Sequence, residues 1–367
     1  MRLLSDGETV KETYEVERFL GEGAFAEVYR VKHRFLGRQA MKVFKRAGMT
    51  VDEIEQMLGE AIMLSRIGHP NIVRVFDANV FESKKGLQGY FTMENVSGGS
   101  LEKFWHSYGT RLIPLDITID LIKQVCRGLA IAHRQNPPII HRDIKPQNIL
   151  VGYETDGLRA RISDFGLAKS VNPLTFLATA AGTPAFKPPE AFTASKGDSC
   201  SADIWAIGTT LYLLLTDRLP FKMPTEFGWG GAEEIQDTFE PPSSINPDVN
   251  DSLDLIVRKS LSFNPSNRYQ NASEILDALE LWKPGHLNPE GYDAKNSDGY
   301  SKTALGPGLS SPDQAKGDEI VKLALRYKKE GRLLEAADAM EEAFNKAPGL
   351  RSKYNNLVKL WRCGISM

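Results

Sequence analysis

The pattern of apolar and polar residues divides the chain into a strand-rich first part and a helical second part. Up to about residue 93, the runs YEVERFL and EVYRVKHRF are rich in β-branched and aromatic residues, and residues 39–44 form a short apolar run; both patterns predict strands. Residues 51–67 show helical spacing and end at a Gly-His-Pro stop signal. From 98 to 282 the period is mostly helical, with long segments at 120–135 and 203–215. A strand-rich lobe before a larger helical lobe predicts an α+β fold.

A linker and a helical tail follow. Gly, Pro and Ser fill 13 of the 32 positions of 284–315, a composition typical of linkers. Residues 316–367 then show three apolar helical faces, separated at Gly331 and Pro348. This tail carries 11 basic and 7 acidic residues, net +4, against −6 for the preceding 315 residues. The contrast favours a contact within the chain or with a partner, although solvated helix faces are its more common cause.

Composition excludes several classes of protein. Across 367 residues the net charge is −2, so charge does not favour binding to nucleic acid or to a membrane surface. The sequence contains no run of eighteen apolar residues, so no membrane-spanning helix is predicted. The cysteines, Cys126, Cys200 and Cys363, are few and far apart, which indicates a reducing compartment. We therefore expect a cytoplasmic protein that neither binds nucleic acid nor inserts into a membrane.

Two early motifs suit phosphate binding. Gly21-Glu-Gly23 lies between predicted strands, where glycines let backbone N–H groups approach phosphate oxygens, although such a pair in a hairpin is more often only a turn. Lys42 lies in an apolar strand, where a buried ammonium needs a partner. Glu60, on the predicted helix that follows, is the candidate partner, and the pair would direct Lys42 toward a nucleotide.

Two later motifs suit metal binding and proton transfer. One is His141-Arg-Asp143-Ile-Lys145-Pro-Gln-Asn148, and the other is Ser-Asp164-Phe-Gly. Asp143 can accept a proton from a hydroxyl. Asn148 and Asp164 offer oxygen atoms to Mg²⁺, which is usually held by one or two carboxylates together with substrate phosphates. Phosphoryl transfer needs this combination of charge neutralisation and an oriented hydroxyl.

In this order and at these spacings, the motifs resemble those of the eukaryotic-like (Hanks-type) Ser/Thr protein kinases over residues 14–282. The resemblance implies a two-lobe kinase domain at 1–283. Its N-lobe, an antiparallel sheet with one helix, spans about 14–96, and its mainly helical C-lobe spans 97–283. A linker at 284–315 and a small helical module at 316–367 complete the expected organisation. The resemblance also implies ATP, Mg²⁺ with Mn²⁺ as an alternative ion, and protein substrates.

The same resemblance assigns roles to single residues. Asp143 is the expected catalytic base, assisted by Lys145, and Lys42 is expected to pair with Glu60. Asn148 and Asp164 are the expected metal ligands. The expected ATP-binding positions are Gly21, Gly23, Val28, Ala40, Lys42, Met93, Glu94, Val96 and Leu150.

The segment after Asp164 resembles a kinase activation segment. Thr179 is the first candidate for an activating phosphate that would dock on Arg142, and Thr175 is the second. These threonines are otherwise plain loop residues. Thr183, in Gly-Thr-Pro, is expected to contact the substrate, and together with Lys145 it favours a Ser/Thr-directed enzyme.

The resemblance also predicts an ion pair between Glu190 and Arg268. The chain departs from the family pattern at three positions. Ala26 replaces a third glycine, Lys187 replaces a residue that is usually apolar, and Pro188 replaces an alanine. None of these changes removes a catalytic group.

Residues 317–350 resemble one tetratricopeptide unit, with small alanines between two helices. A lone helical hairpin cannot bury its apolar face, so we expect it to pack on the kinase lobes, to pair with another chain, or to belong to a longer array of repeats. A peptide or protein partner of these helices and a homodimer are the expected forms of contact with another chain. An ordinary helical extension is the remaining alternative.

Two other functions stay open at this point. A catalytically silent kinase-like scaffold would usually lack one of Lys42, Asp143, Asn148 and Asp164, all of which are present. A small-molecule kinase of related fold would usually lack the Arg–Lys pair around Asp143 and the Gly-Thr-Pro to Pro-Glu segment.

Overall fold

Most of the chain is described by the computed structural model, which covers residues 2–23, 26–46, 48, 50, 52–55, 59, 68–83, 86–109, 111–154, 157–165, 184–192, 199–222, 238–284, 312–347 and 349–362. Of the predicted helix at 51–67, residues 52–55 are helical. Glu60, Thr175, Thr179 and Thr183 lie outside the described residues, as does 285–311, the greater part of the predicted linker.

The first lobe contains a six-stranded antiparallel sheet with the strand order β1-β2-β3-β4-β6-β5. Its strands are β1 Thr9–Val10, β2 Tyr14–Glu22, β3 Ala26–His33, β4 Gly37–Phe44, β5 Val75–Ser83 and β6 Gly86–Glu94. Side chains alternate between the two faces of a strand. In β4, Met41 and Val43 therefore join one apolar cluster, while Ala40 and Phe44 join another. Lys42 shares the face of Ala40 and Phe44.

The second lobe is mainly helical. Its regular elements are α1 Leu101–His106, α2 Leu115–His133, β7 Ile149–Glu154, β8 Gly157–Ile162, α3 Cys200–Thr216, α4 Asp251–Ser260 and α5 Ala272–Leu281. Helix α3 is the centre of this lobe, since its residues from Ser201 to Thr216 are buried. The lobes are joined where Ile72 forms a parallel bridge with Ile162 and the Val73 N–H donates to the Ile162 carbonyl at 2.9 Å.

Three further helices follow, α6 Pro312–Lys329, α7 Leu333–Lys346 and α8 Leu350–Arg362. Helix α6 begins four residues before the predicted module, at a proline, which fits the first turn of a helix. Gly331 makes the α6–α7 turn with φ at +74°, a conformation that favours glycine. The apolar residues of these helices belong to the same buried cluster as the core of the second lobe.

The α+β, two-lobe architecture predicted from the sequence is thus confirmed. Among the described residues, no helix has the length and apolar character needed to cross a bilayer.

Candidate active site

Three predicted catalytic groups share one hydrogen-bonded cluster between α2 and β7. The Asn148 side-chain amide donates to the Asp143 carbonyl at 2.8 Å and to Asp143 Oδ2 at 2.7 Å. Lys145 Nζ lies 2.7 Å from the same Oδ2. The Asp143 carboxylate is therefore oriented by an amide and an ammonium.

Asp203 holds the backbone of this segment in place. Its buried carboxylate accepts hydrogen bonds from the N–H groups of His141 and Arg142, both at 2.8 Å, and lies 3.0 Å from His133 Nε2. Burial acts to raise the pKa of Asp203, but these partners hold it below its ordinary value. Arg142 has φ at +68°, a left-handed conformation that the surrounding hydrogen bonds maintain.

Asp164 is brought beside Asn148 by the segment that follows β8. The Ser163 N–H donates to the Asn148 carbonyl at 2.9 Å, and the Ser163 carbonyl contacts His141 Nε2 at 2.8 Å. Asp164 itself has φ at +64°. The next residue, Phe165, packs edge-on against the His141 ring at 4.5 Å, so His141 is a packed core residue that links the two motifs.

Lys42 pairs with Asp164 across the lobes. Its Nζ lies 2.6 Å from Asp164 Oδ1, with both side chains largely shielded from solvent. Glu60, the partner predicted from the sequence, is outside the described residues, so the Lys42–Glu60 pair stays a prediction.

Four apolar residues among the predicted ATP-binding positions lie together in one cluster beside this pair. Ala40 and Met93 are register partners in adjacent strands and are buried, and Val28 and Leu150 pack against the same cluster at its edge. The first three are on the first lobe and Leu150 is on the second, so the cluster lines the cleft between the lobes.

The strand β6 leads directly into the connection between the lobes. The Glu94 N–H donates to the Arg74 carbonyl at 2.9 Å, and the Glu94 carboxylate lies 3.1 Å from Arg161 Nε. Val96 follows two residues later and its carbonyl accepts from the Gly99 N–H. Hydrogen bonds therefore fix the backbone of residues 94–99 at both ends of this segment.

Gly21 and Gly23 lie where β2 turns toward β3. Gly21 is the register partner of Val28, and the Gly23 N–H donates to the Ala26 carbonyl at 2.8 Å. Among the described residues, no atom lies within 4 Å of where a Cβ on Gly21 would be. These residues therefore leave space beside Gly21 for a ligand.

The chemistry of Asn148 and Asp164 fits a magnesium ion. Asn148 uses its amide nitrogen toward Asp143, which leaves the amide oxygen as its donor to a hard cation. Within the described part of the chain, no group of three or more His, Cys, Asp or Glu residues forms a metal cage. Two protein ligands together with substrate phosphates match the way Mg²⁺ is usually held.

The predicted pair between Glu190 and Arg268 is present. The two guanidinium nitrogens lie 2.6 and 2.8 Å from the two carboxylate oxygens. Arg268 is 2% exposed and also donates to the carbonyls of Ser262 and Ser201. This bidentate pair fastens the end of the activation segment to the core.

Lys187 was noted from the sequence only as a departure. Lys187 is buried close to the catalytic groups. Burial lowers its pKa to about 8, with Lys145 also acting to lower the pKa and Asp143 acting to raise it. A lysine where an apolar residue is usual was the only sequence signal for it.

Comparison with known proteins identifies the family. Residues 14–279 match the protein kinase domain. The chain belongs to the protein kinase family. A probable serine/threonine-protein kinase of Clostridium acetobutylicum is 33% identical to this kinase over 289 residues, which are 77% of this chain and 42% of that protein. The serine/threonine-protein kinase PknB of Mycobacterium leprae is 30% identical over 275 residues, 72% of this chain and 42% of that protein.

The kinase thus spans less than half the length of these curated relatives. Among solved structures, the kinase domain of Mycobacterium tuberculosis PknI is similar, with a TM-score of 0.56 and 26% identity. The similarity covers 76% of this chain and 98% of that domain.

Proposed function

We propose that this protein transfers the γ-phosphoryl group of ATP to serine and threonine hydroxyls of proteins. The observation that carries the proposal is the convergence of the Lys42–Asp164 pair and the Asp143–Asn148 cluster on one cleft, because phosphoryl transfer is catalysed mainly by positioning and charge stabilisation. The relatives named as serine/threonine kinases support the substrate class.

In this reaction Asp143 accepts the proton of the attacking hydroxyl. The hydroxyl oxygen bonds to the γ-phosphorus while the bond from that phosphorus to the β–γ bridging oxygen breaks, which releases ADP. Lys42 stabilises the α- and β-phosphates, with Glu60 as its proposed second partner. Lys145, which already contacts Asp143, stabilises negative charge on the transferred group.

The remaining site residues hold the nucleotide. Val28, Ala40 and Leu150 enclose the adenine, Met93 limits the back of its pocket, and the backbones of Glu94 and Val96 bind its edge. Gly21 and Gly23 cover the phosphates. Asn148 and Asp164 would hold Mg²⁺, or Mn²⁺ in its place, and the bound ion would neutralise phosphate charge.

We also propose that phosphorylation of Thr179, with Thr175 as the second candidate, regulates the enzyme by pairing with Arg142, and that Thr183 contacts the substrate. Phosphopeptide mapping of active protein, together with the rates of Thr179→Ala and Thr175→Ala, tests this. The proposal is contradicted if both variants keep full activity and neither threonine is phosphorylated in the active protein.

We propose a tetratricopeptide-like role in protein contacts for α6–α8. The helix pair with small alanines between its members supports this proposal. Light scattering of the full chain tests the homodimer alternative.

Transfer of labelled phosphate from ATP to a generic basic protein tests the activity, with Asp143→Ala as the control. We expect incorporation on serine and threonine that Asp143→Ala abolishes. No transfer despite nucleotide binding would favour a silent scaffold, and label on small molecules only would favour a small-molecule kinase.

A further inference from the structure

Helix α7 contacts both lobes and the connection between them. Asp338, Glu341, Glu342 and Asn345 follow the i, i+3, i+4, i+7 spacing, which places them on one face of the helix. This face is turned toward the kinase lobes.

On the first lobe, the partners of α7 are arginines of the sheet. Arg18 Nη1 on β2 lies 2.5 Å from Glu342 Oε1, and Arg38 Nη1 on β4 lies 3.8 Å from Asp338 Oδ2. Arg38 is bound to Glu17 as well. The acidic face of α7 thus supplies counter-charges to β2 and β4, two strands of the nucleotide-binding sheet that flank β3.

At the connection, the partner is Ser97, the residue after Val96. The Ser97 hydroxyl donates to Glu341 Oε2 and accepts from Arg362 Nη2 of α8 at 2.6 Å. Arg362 Nη2 also lies 2.9 Å from Glu341 Oε2 and 2.6 Å from Asp338 Oδ1. The Glu341 side chain is fully buried, and burial raises its pKa against the effect of Arg362. Loss of these partners would leave the Glu341 carboxylate buried and unpaired, which would strongly destabilise the folded protein. The contacts of Glu341 therefore hold α7, α8 and Ser97 together as one unit.

On the second lobe, α7 reaches the strand that supports the connection. Phe344 packs edge-on against Tyr153 of β7 at 6.1 Å. The same strand holds the residues that follow Ser97, since the Val151 N–H donates to the Gly99 carbonyl at 2.8 Å. A Cβ on Gly98 would lie 2.0 Å from the Val151 carbonyl oxygen, so the chain here lies directly on β7.

We propose that α7 positions the two lobes for ATP binding: Glu342 through Arg18, Glu341 through Ser97 and Phe344 through Tyr153 fix the sheet, the connection and the second lobe relative to one another. These are positioning residues, because each acts through another residue and none touches the reacting groups. The inference rests on the proposed function, since it names ATP as the ligand whose site is held. It assigns the C-terminal helices to the alternative in which they pack on the kinase lobes of their own chain.

The test is a charge exchange at the partly exposed pair, where folding is expected to survive. Arg18→Glu and Glu342→Arg, each in the full chain, are expected to weaken the binding of a fluorescent ATP analogue and raise the KM for ATP by about three- to fivefold, with kcat changed less than twofold. The double variant Arg18→Glu/Glu342→Arg should return both values to within twofold of wild type. Glu319→Gln, on the exposed surface of α6, is the matched control.

A second measurement addresses the buried part of the contact. In Ser97→Ala, amide hydrogen exchange of 95–99 is expected to accelerate by about tenfold while the exchange of α3 is unchanged. Unchanged nucleotide affinity in both single variants, or no recovery in the double variant, overturns the proposal. Nucleotide binding is measured separately from phosphate transfer. A wild-type chain that binds ATP without transferring phosphate would contradict the proposed activity, and the effect of the variants on ATP binding would still test the role of α7.

Discussion

Lys42 Nζ lies 2.6 Å from Asp164 Oδ1, and this ion pair joins β4 of the first lobe to the segment after β8 of the second. The two residues are 122 positions apart in the sequence. In the proposed function both groups have nucleotide-bound partners, the phosphates for Lys42 and the metal for Asp164. The pair therefore keeps each group in place until the nucleotide and metal compete for it.

Replacement of the lysine removes the phosphate partner. We expect Lys42→Met to lower kcat/KM for ATP by at least about 100-fold, since a positioned charge on transferring phosphoryl groups is worth several kcal/mol. Steady-state phosphoryl transfer measures this. Lys32→Met, at an exposed lysine of the same sheet, should stay within about twofold of wild type. Activity of Lys42→Met within tenfold of wild type would contradict the assigned role.

Metal dependence should follow from Asp164. Chelation of divalent ions is expected to abolish transfer, and Mg²⁺ or Mn²⁺ should restore it. In Asp164→Asn, we expect the Mg²⁺ concentration for half-maximal activity to rise by at least about tenfold, because a neutral amide binds a hard cation less strongly than a carboxylate. An unchanged metal titration would show that Asp164 is not a ligand.

The Glu190–Arg268 pair should be a major contribution to stability. Arg268→Ala leaves Glu190 without its bidentate partner and is expected to lower the free energy of unfolding by about 3–5 kcal/mol, measured with urea. Arg268→Lys should recover little, since an ammonium cannot make both bonds. Arg127→Ala, which breaks an exposed pair with Glu280 at 3.1 Å, should cost no more than about 1 kcal/mol. Equal losses for Arg268→Ala and Arg127→Ala would refute this ranking.

The buried Lys187 gives stability a dependence on pH. Its pKa of about 8 in the folded chain is below the ordinary 10.5, so the unfolded chain binds more protons between these values and the free energy of unfolding rises with pH across that window. At pH 7 the full cost of the buried charge is present, and Lys187→Met should be more stable than wild type by about 1–2 kcal/mol after solvent screening is included.

This advantage of Lys187→Met is expected to shrink as the pH rises from 8 toward 10. Urea unfolding at several pH values measures it, and Lys222→Met, at an exposed lysine, is the control with no such trend. A constant difference between Lys187→Met and wild type would rule out the titration of Lys187.

Gly98 should tolerate no side chain. Gly98→Ala would place a Cβ 2.0 Å from the Val151 carbonyl oxygen, whereas a Cβ on Gly349 would meet no atom of the described residues within 4 Å. We expect Gly98→Ala to lower the melting temperature and weaken nucleotide binding, because backbone atoms must shift beside the connection between the lobes. Gly349→Ala is the matched control and should resemble wild type in both measurements.

The net charge of the C-terminal module does not predict the charges at its contact with the kinase lobes. The module is net +4 and the rest of the chain net −6, which suggests basic groups of the module on acidic groups of the lobes. The contact is the reverse, with Asp338 and Glu342 of α7 on Arg38 and Arg18. Net charge does not specify which face of a helix is buried, and that face is what decides the contact.

The periodicity and spacing of residues in the sequence predicted the two lobes, the helical tail and the candidate catalytic groups, because strand and helix periods and short motifs are local properties of the chain. Only the tertiary structure decided that Lys42 pairs with Asp164, that Lys187 is buried, and that Glu341 is enclosed with Ser97 and Arg362. These relations join residues far apart in sequence, and they depend on which surfaces lose their contact with water when the lobes and helices pack together.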